Sequence, residues 1–66
     1  MLSFEEIDKR RVAAGLTRKA VYERAGLDGE TWRRTAAGKT LPNTRTLTKL
    51  ETALEALLTE LEQANG

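Results

Sequence analysis

The chain contains neither cysteine nor histidine. The first absence removes disulfides, thiolate nucleophiles and cysteine–zinc sites. The second removes the side chain that changes charge near neutral pH and most often ligates metals. Ser3 is the sole serine, and it stands at an expected helix start rather than beside a base. With these types missing there is no constellation for nucleophilic or acid–base catalysis, so no enzyme, metal, cofactor or small-molecule ligand is expected. No apolar run approaches the roughly 18 residues that a membrane span needs, and no signal peptide is visible. The expectation is therefore a soluble, cytoplasmic protein without membrane contact. Sixty-six residues allow one domain, 1–66. A chain of this size buries only about 60% of its unfolded surface, so a second copy would help it.

Charge is scarce in the sum and uneven along the chain. The net charge is +1, yet all 11 Lys and Arg lie in residues 1–50, against six acids. Residues 51–66 carry Glu51, Glu55, Glu60 and Glu62 and no base. A basic body with an acidic tail suits a domain whose body meets a polyanion while its tail faces away.

Residues 17–38, TRKAVYERAGLDGETWRRTAAG, organise the rest. Thr17 is suited to cap one helix, and Gly26 to end it in the left-handed conformation. Asp28 can cap a second helix, which Gly38 closes. Two short helices around a glycine-bearing turn form the helix-turn-helix pattern. On a wheel of about 100° per residue centred on Trp32, Thr35 and Ala36 fall beside it. Glu30, Arg33, Arg34 and Ala37 then face outward, with Gly29 at the flank. Arg can donate in pairs to guanine, and Glu can accept from the cytosine amino group. The plainer reading of the same face is a solvated surface with a Glu30–Arg34 pair at i,i+4.

The flanking segments are equally structured. Ser3 and Glu6 make a capping box before a helix running to about Ala14, with Phe4 and Ile7 as core anchors, followed less regularly by Val12 and Ala14. Val21 and Ala25 mark the inner face of the next helix. Arg18 and Lys19 occupy its first turn, where cations oppose the helix dipole but strengthen an anion site. Lys39, Thr40, Thr44 and Arg45 surround Pro42 and Asn43, the expected breaker and cap, and are placed to grip a phosphate or simply to be polar loop residues. In the last helix, 44–64, Leu47, Leu50, Leu54, Leu57 and Leu61 repeat at spacings of 3 and 4, and Leu58 widens the seam. Leu57, Leu58 and Leu61 are expected to overhang a small body. Each would forgo roughly 1.5–3 kcal/mol of burial unless covered by a second copy or folded back on the body.

The order of these pieces resembles the Cro/phage-repressor (XRE-type) helix-turn-helix family over about Ile7 to Leu54. The resemblance rests on Gly15-Leu16-Thr17, Gly26-Leu27, Gly38, Pro42, and Thr46-Leu47, Lys49-Leu50 and Ala53-Leu54. It implies an all-α, four-to-five-helix, lambda-repressor-like domain with a long C-terminal helix. It implies that the helix after the turn enters the DNA major groove and that Gly29, Glu30, Arg33 and Arg34 read bases. Arg18, Lys39, Thr40, Thr44 and Arg45 would hold phosphates. Three positions depart from the pattern. Tyr22 replaces a small residue, Thr35 an aliphatic one, and Ala36 a glutamate that often pairs with Arg11. Arg11 is thereby left for the surface or for a phosphate.

The resemblance thus implies a bacterial or phage-encoded transcriptional regulator, a homodimeric repressor on a palindromic operator in double-stranded DNA, autoregulating its own operon. The alternative is a protein-interaction module, an antitoxin-like partner gripping another protein through its leucine-rich C-terminal helix.

Overall fold

Each helix begins where a short polar side chain captures a free amide three residues ahead. In the computed structural model, which describes residues 2–38 and 43–65, there are four helices and no strand among the described residues. They are α1 (Phe4–Ala13), α2 (Arg18–Arg24), α3 (Gly29–Ala36) and α4 (Thr44–Asn65). Ser3 Oγ accepts from Glu6 N at 3.2 Å and Thr17 Oγ1 from Ala20 N at 3.0 Å. Asp28 Oδ1 accepts from Thr31 N at 2.8 Å and Asn43 Oδ1 from Thr46 N at 2.7 Å. Four caps of one kind fix four helix starts, which is what an N-cap oxygen does for the orphan donors of the first turn.

The helix ends are set by a second repeated device. After α2, the Gly26 amide donates to Glu23 O and the Leu27 amide to Tyr22 O, with Gly26 at φ 75°. After α1, Gly15 and Leu16 donate to Val12 O and Arg11 O in the same pattern, at φ 73°. This is the Schellman arrangement, and its left-handed residue is why glycine occupies both places.

The core draws on all four helices: Ile7, Val21, Trp32, Leu50 and Leu54 are buried and mutually packed. Trp32 anchors α3 to the rest. Its ring meets Phe4 edge-on at 4.9 Å and lies 6.4 Å from Tyr22, so the three aromatic residues converge. Thr35, the other buried residue of α3, satisfies its hydroxyl by donating to Thr31 O at 2.9 Å.

Several sequence expectations need correction. Val12 is 61% exposed rather than a core anchor. Roughly 100° per residue puts Arg11 next to Phe4 and Ile7 on the wheel and turns Val12 well away. Ala36, expected beside Trp32, is exposed at the last residue of α3; the packed face ends one residue earlier, at Thr35. Leu57 and Leu58 do not overhang: both are half-buried against the core cluster. The body reaches farther along α4 than three leucines' worth. The Leu2 amide donates to Glu51 Oε2 at 3.2 Å, and Arg24 at the end of α2 pairs with Glu60 at 2.6 Å. Leu61 alone of the three keeps substantial exposure, 37%. At about 1.5 Å per residue, the 22 residues of α4 account for most of the 40 Å long axis of the molecule.

None of the helices among the described residues is long and apolar enough to cross a membrane.

Candidate nucleic-acid interface

The outward face of α3 is built by what holds its inward face. Trp32 and Thr35 are buried, so the residues between and before them, Glu30, Arg33 and Arg34, are turned to solvent. Their side chains are 47%, 70% and 64% exposed. Glu30 binds both guanidiniums. Arg33 Nη2 donates to Oε1 at 2.7 Å and Arg33 Nε to Oε2 at 3.2 Å, a two-point contact. Arg34 Nε donates to the same Oε1 at 3.3 Å. The i,i+4 pair anticipated from spacing is therefore present, and a shorter i,i+3 pair accompanies it.

These contacts set the protonation of the group. The hydrogen bond from Arg33 holds the Glu30 carboxyl below its ordinary range, and the two positive charges act in the same direction. Arg33 is raised in turn, first by that hydrogen bond and then by the charge of Glu30. Asp28 is lowered chiefly by its cap contact with Thr31, with a small contribution from Arg34. Both carboxylates are ionised at neutral pH, so the two guanidiniums of this face stand against the negative charge of Glu30 between them and that of Asp28 at the start of the helix.

Gly29 begins α3 beneath the Tyr22 hydroxyl. A Cβ there would sit 3.2 Å from Tyr22 Oη and 3.4 Å from Cζ, so the bulky residue of α2 and the absent side chain of α3 fit one another. The larger residue at 22 is accommodated by this glycine, a relation the sequence signalled only as an unusual tyrosine. Gly29 offers no side chain to a ligand and remains half-buried.

Between the starts of α2 and α3 lies an open groove of about 630 Å³ bordered by Arg11, Arg18, Lys19, Tyr22 and Arg33. Arg18 and Lys19 are exposed in the first turn of α2. The fold therefore brings the expected phosphate residue Arg18 to the same groove as the expected base reader Arg33. Lys19, the other cation of that first turn, shares it.

Arg11 also departs from its expected place. It is neither surface nor free for a phosphate: its side chain is 11% exposed. Its Nε donates to Asp8 Oδ1 at 2.8 Å and its Nη1 to Leu16 O at 2.8 Å, and its guanidinium lies 5.9 Å from the centre of the Trp32 ring. In place of a glutamate on α3 it has an aspartate on its own helix and the carbonyl that leads into α2. Arg11 thus joins α1, the α1–α2 turn and Trp32, and backs the groove instead of projecting from it.

Thr44 and Arg45 are exposed at the start of α4. Lys39 and Thr40, expected to act with them, lie outside the described residues. Chemically, the face offers paired N–H donors on a short, firmly capped helix, with further cations one turn-connection away. Such a surface suits an acceptor-rich polyanion with flat, edge-on hydrogen-bonding groups. Compared with known proteins, the chain matches no protein-family model, no curated protein and no solved structure.

Proposed function

We propose that this chain is a sequence-specific DNA-binding regulator of the helix-turn-helix type, similar to the Cro/phage-repressor family, with α2 and α3 as the motif. In this reading α3 enters the major groove and presents Arg33 and Arg34 to base edges, while Arg18, Lys19, Thr44 and Arg45 meet phosphates. The observation that carries it is the exposed pair of guanidiniums on a helix whose opposite face is fixed by Trp32. Arg18 and Lys19 stand beside them across one groove. The protein works as a homodimer and most naturally as a repressor, on a palindrome whose half-sites are about 34 Å apart. Leu61, exposed at the acidic end of α4, supports the pairing of two copies there. Cationic contacts to phosphates supply most of the affinity and its dependence on salt.

The test is selection from random duplexes followed by titration of the selected and a scrambled site. Arg34→Ala should weaken the selected site by about 1–3 kcal/mol and relax one base position. Arg18→Ala should weaken both sites alike and flatten the salt slope by about one. Equal losses on both duplexes for both variants would remove α3 from sequence readout.

A further inference from the structure

We propose that Glu30 binds Arg33 and Arg34 into one reading unit that selects duplexes with guanines on two neighbouring base pairs. The inference rests on the DNA-binding reading above. A guanidinium has a side edge, Nε with one terminal nitrogen, and an outer edge formed by Nη1 and Nη2. Glu30 takes Arg33 by its side edge, through Nε and Nη2, and takes Arg34 by Nε. Among the described residues neither outer edge has its full set of donors engaged, and both side chains are mostly exposed. Arg33 Nη2 and Arg34 Nε share the single atom Oε1, at 2.7 and 3.3 Å, so the one carboxylate oxygen holds the two guanidiniums close together.

An outer edge supplies two parallel donors, the match for the O6 and N7 acceptors of guanine in the major groove. Two guanidiniums held on one carboxylate are near enough to address two base pairs in succession, which are stacked about 3.4 Å apart. A phosphate is a poorer partner for this unit, because the ionised Glu30 between the arginines repels it. Glu30 itself is poorly placed to read cytosine: Oε1 already accepts from two donors and Oε2 from one. Its part is positional, and it acts on base choice through the arginines.

Removing Glu30 should therefore move selected and random DNA in opposite senses. Glu30→Ala deletes a negative charge beside the duplex, so random DNA should bind more tightly, most clearly at low salt. The unfixed arginines should then lose discrimination, so the ratio of selected to random affinity falls by about tenfold or more. Glu23→Ala is the control: it deletes an exposed carboxylate from α2 and should tighten random binding without changing the ratio. Anisotropy titrations of the three proteins, with selection repeated on Glu30→Ala, make the comparison. Adjacent guanines in the wild-type site that relax together in the variant are the expected result. A selective wild type whose site lacks adjacent guanines, or whose ratio survives Glu30→Ala, overturns this inference and leaves DNA binding standing. A wild type that prefers no duplex at all overturns both.

Discussion

Replacing Arg11 by alanine is the perturbation that weighs the architecture most sharply. The side chain gives a charged hydrogen bond to the Leu16 carbonyl and another to Asp8, and lies over the Trp32 ring at 5.9 Å while 11% exposed. Hydrogen bonds involving a charged group contribute about 1.5–3 kcal/mol when protected. A cation–π contact of this kind adds on the order of 0.5–2 kcal/mol. Asp8 is 40% exposed, so its bond is screened and counts for little. With both contributions taken toward the lower ends of their ranges, because the side chain is not fully buried, the Leu16 bond and the ring contact together give a loss of about 2–3 kcal/mol on Arg11→Ala. In a domain of this length, 1 kcal/mol shifts the melting temperature by about 4–8 °C, so a fall of roughly 10–20 °C is expected. Arg10→Ala is the matched control. Its pair with Glu6 spans 3.9 Å between half-exposed side chains, and its removal should cost no more than about 0.5 kcal/mol. Arg11→Lys keeps the charge but lacks the planar fork, and should fall between the two. Urea and thermal denaturation followed by far-UV circular dichroism supply the numbers. If Arg11→Ala and Arg10→Ala prove equally mild, Arg11 does not join α1 to α2 and α3 as described.

Two further outcomes follow from the same geometry. Asp28 has a depressed folded pKa, so its stabilisation of α3 is complete above the ordinary aspartate value of about 4 and is lost as pH falls through the lower folded value. Asp28→Asn keeps a capping oxygen without the charge, so the melting temperature of that variant should fall less steeply with acid than the wild type's. Identical acid slopes would deny the cap its ionic part. Leu61→Glu should leave the monomer's melting unchanged, since the residue is exposed, and should shift a dimer toward monomer in sedimentation. An unaltered dimer would place the contact between copies elsewhere.

What could be read from the sequence was chiefly what is local. The four caps and the left-handed glycines depend on residues within one or two turns, and Ser3, Thr17, Asp28, Asn43, Gly15, Gly26 and Gly38 all stand where their chemistry placed them. The apolar faces are legible too, because Phe4 and Ile7, Val21 and Ala25, and Leu50 and Leu54 each recur at helical spacing. The errors lie where one element's burial is decided by another. Periodicity identifies the leucine seam of α4 but not how far the body covers it, and the core reaches Leu57 and Leu58, which spacing alone leaves beyond it. Val12, expected after Phe4 and Ile7, is exposed, while Arg11 packs inward, because the aliphatic stem of an arginine can line a core while its head bonds a carbonyl. On α3 the outward direction of Glu30, Arg33 and Arg34 was legible. The double grip of Glu30 was not, because rotamers rather than spacing decide which neighbour a carboxylate takes.

The most direct measurement is an NMR titration of the labelled protein with its selected duplex, watching backbone amides and arginine Nε–H resonances together. The account predicts that the largest changes gather at Arg33 and Arg34, along α3, and at the first turn of α2, with α4 beyond Leu54 unmoved. Changes confined to the far end of α4, or none with any duplex, would contradict it.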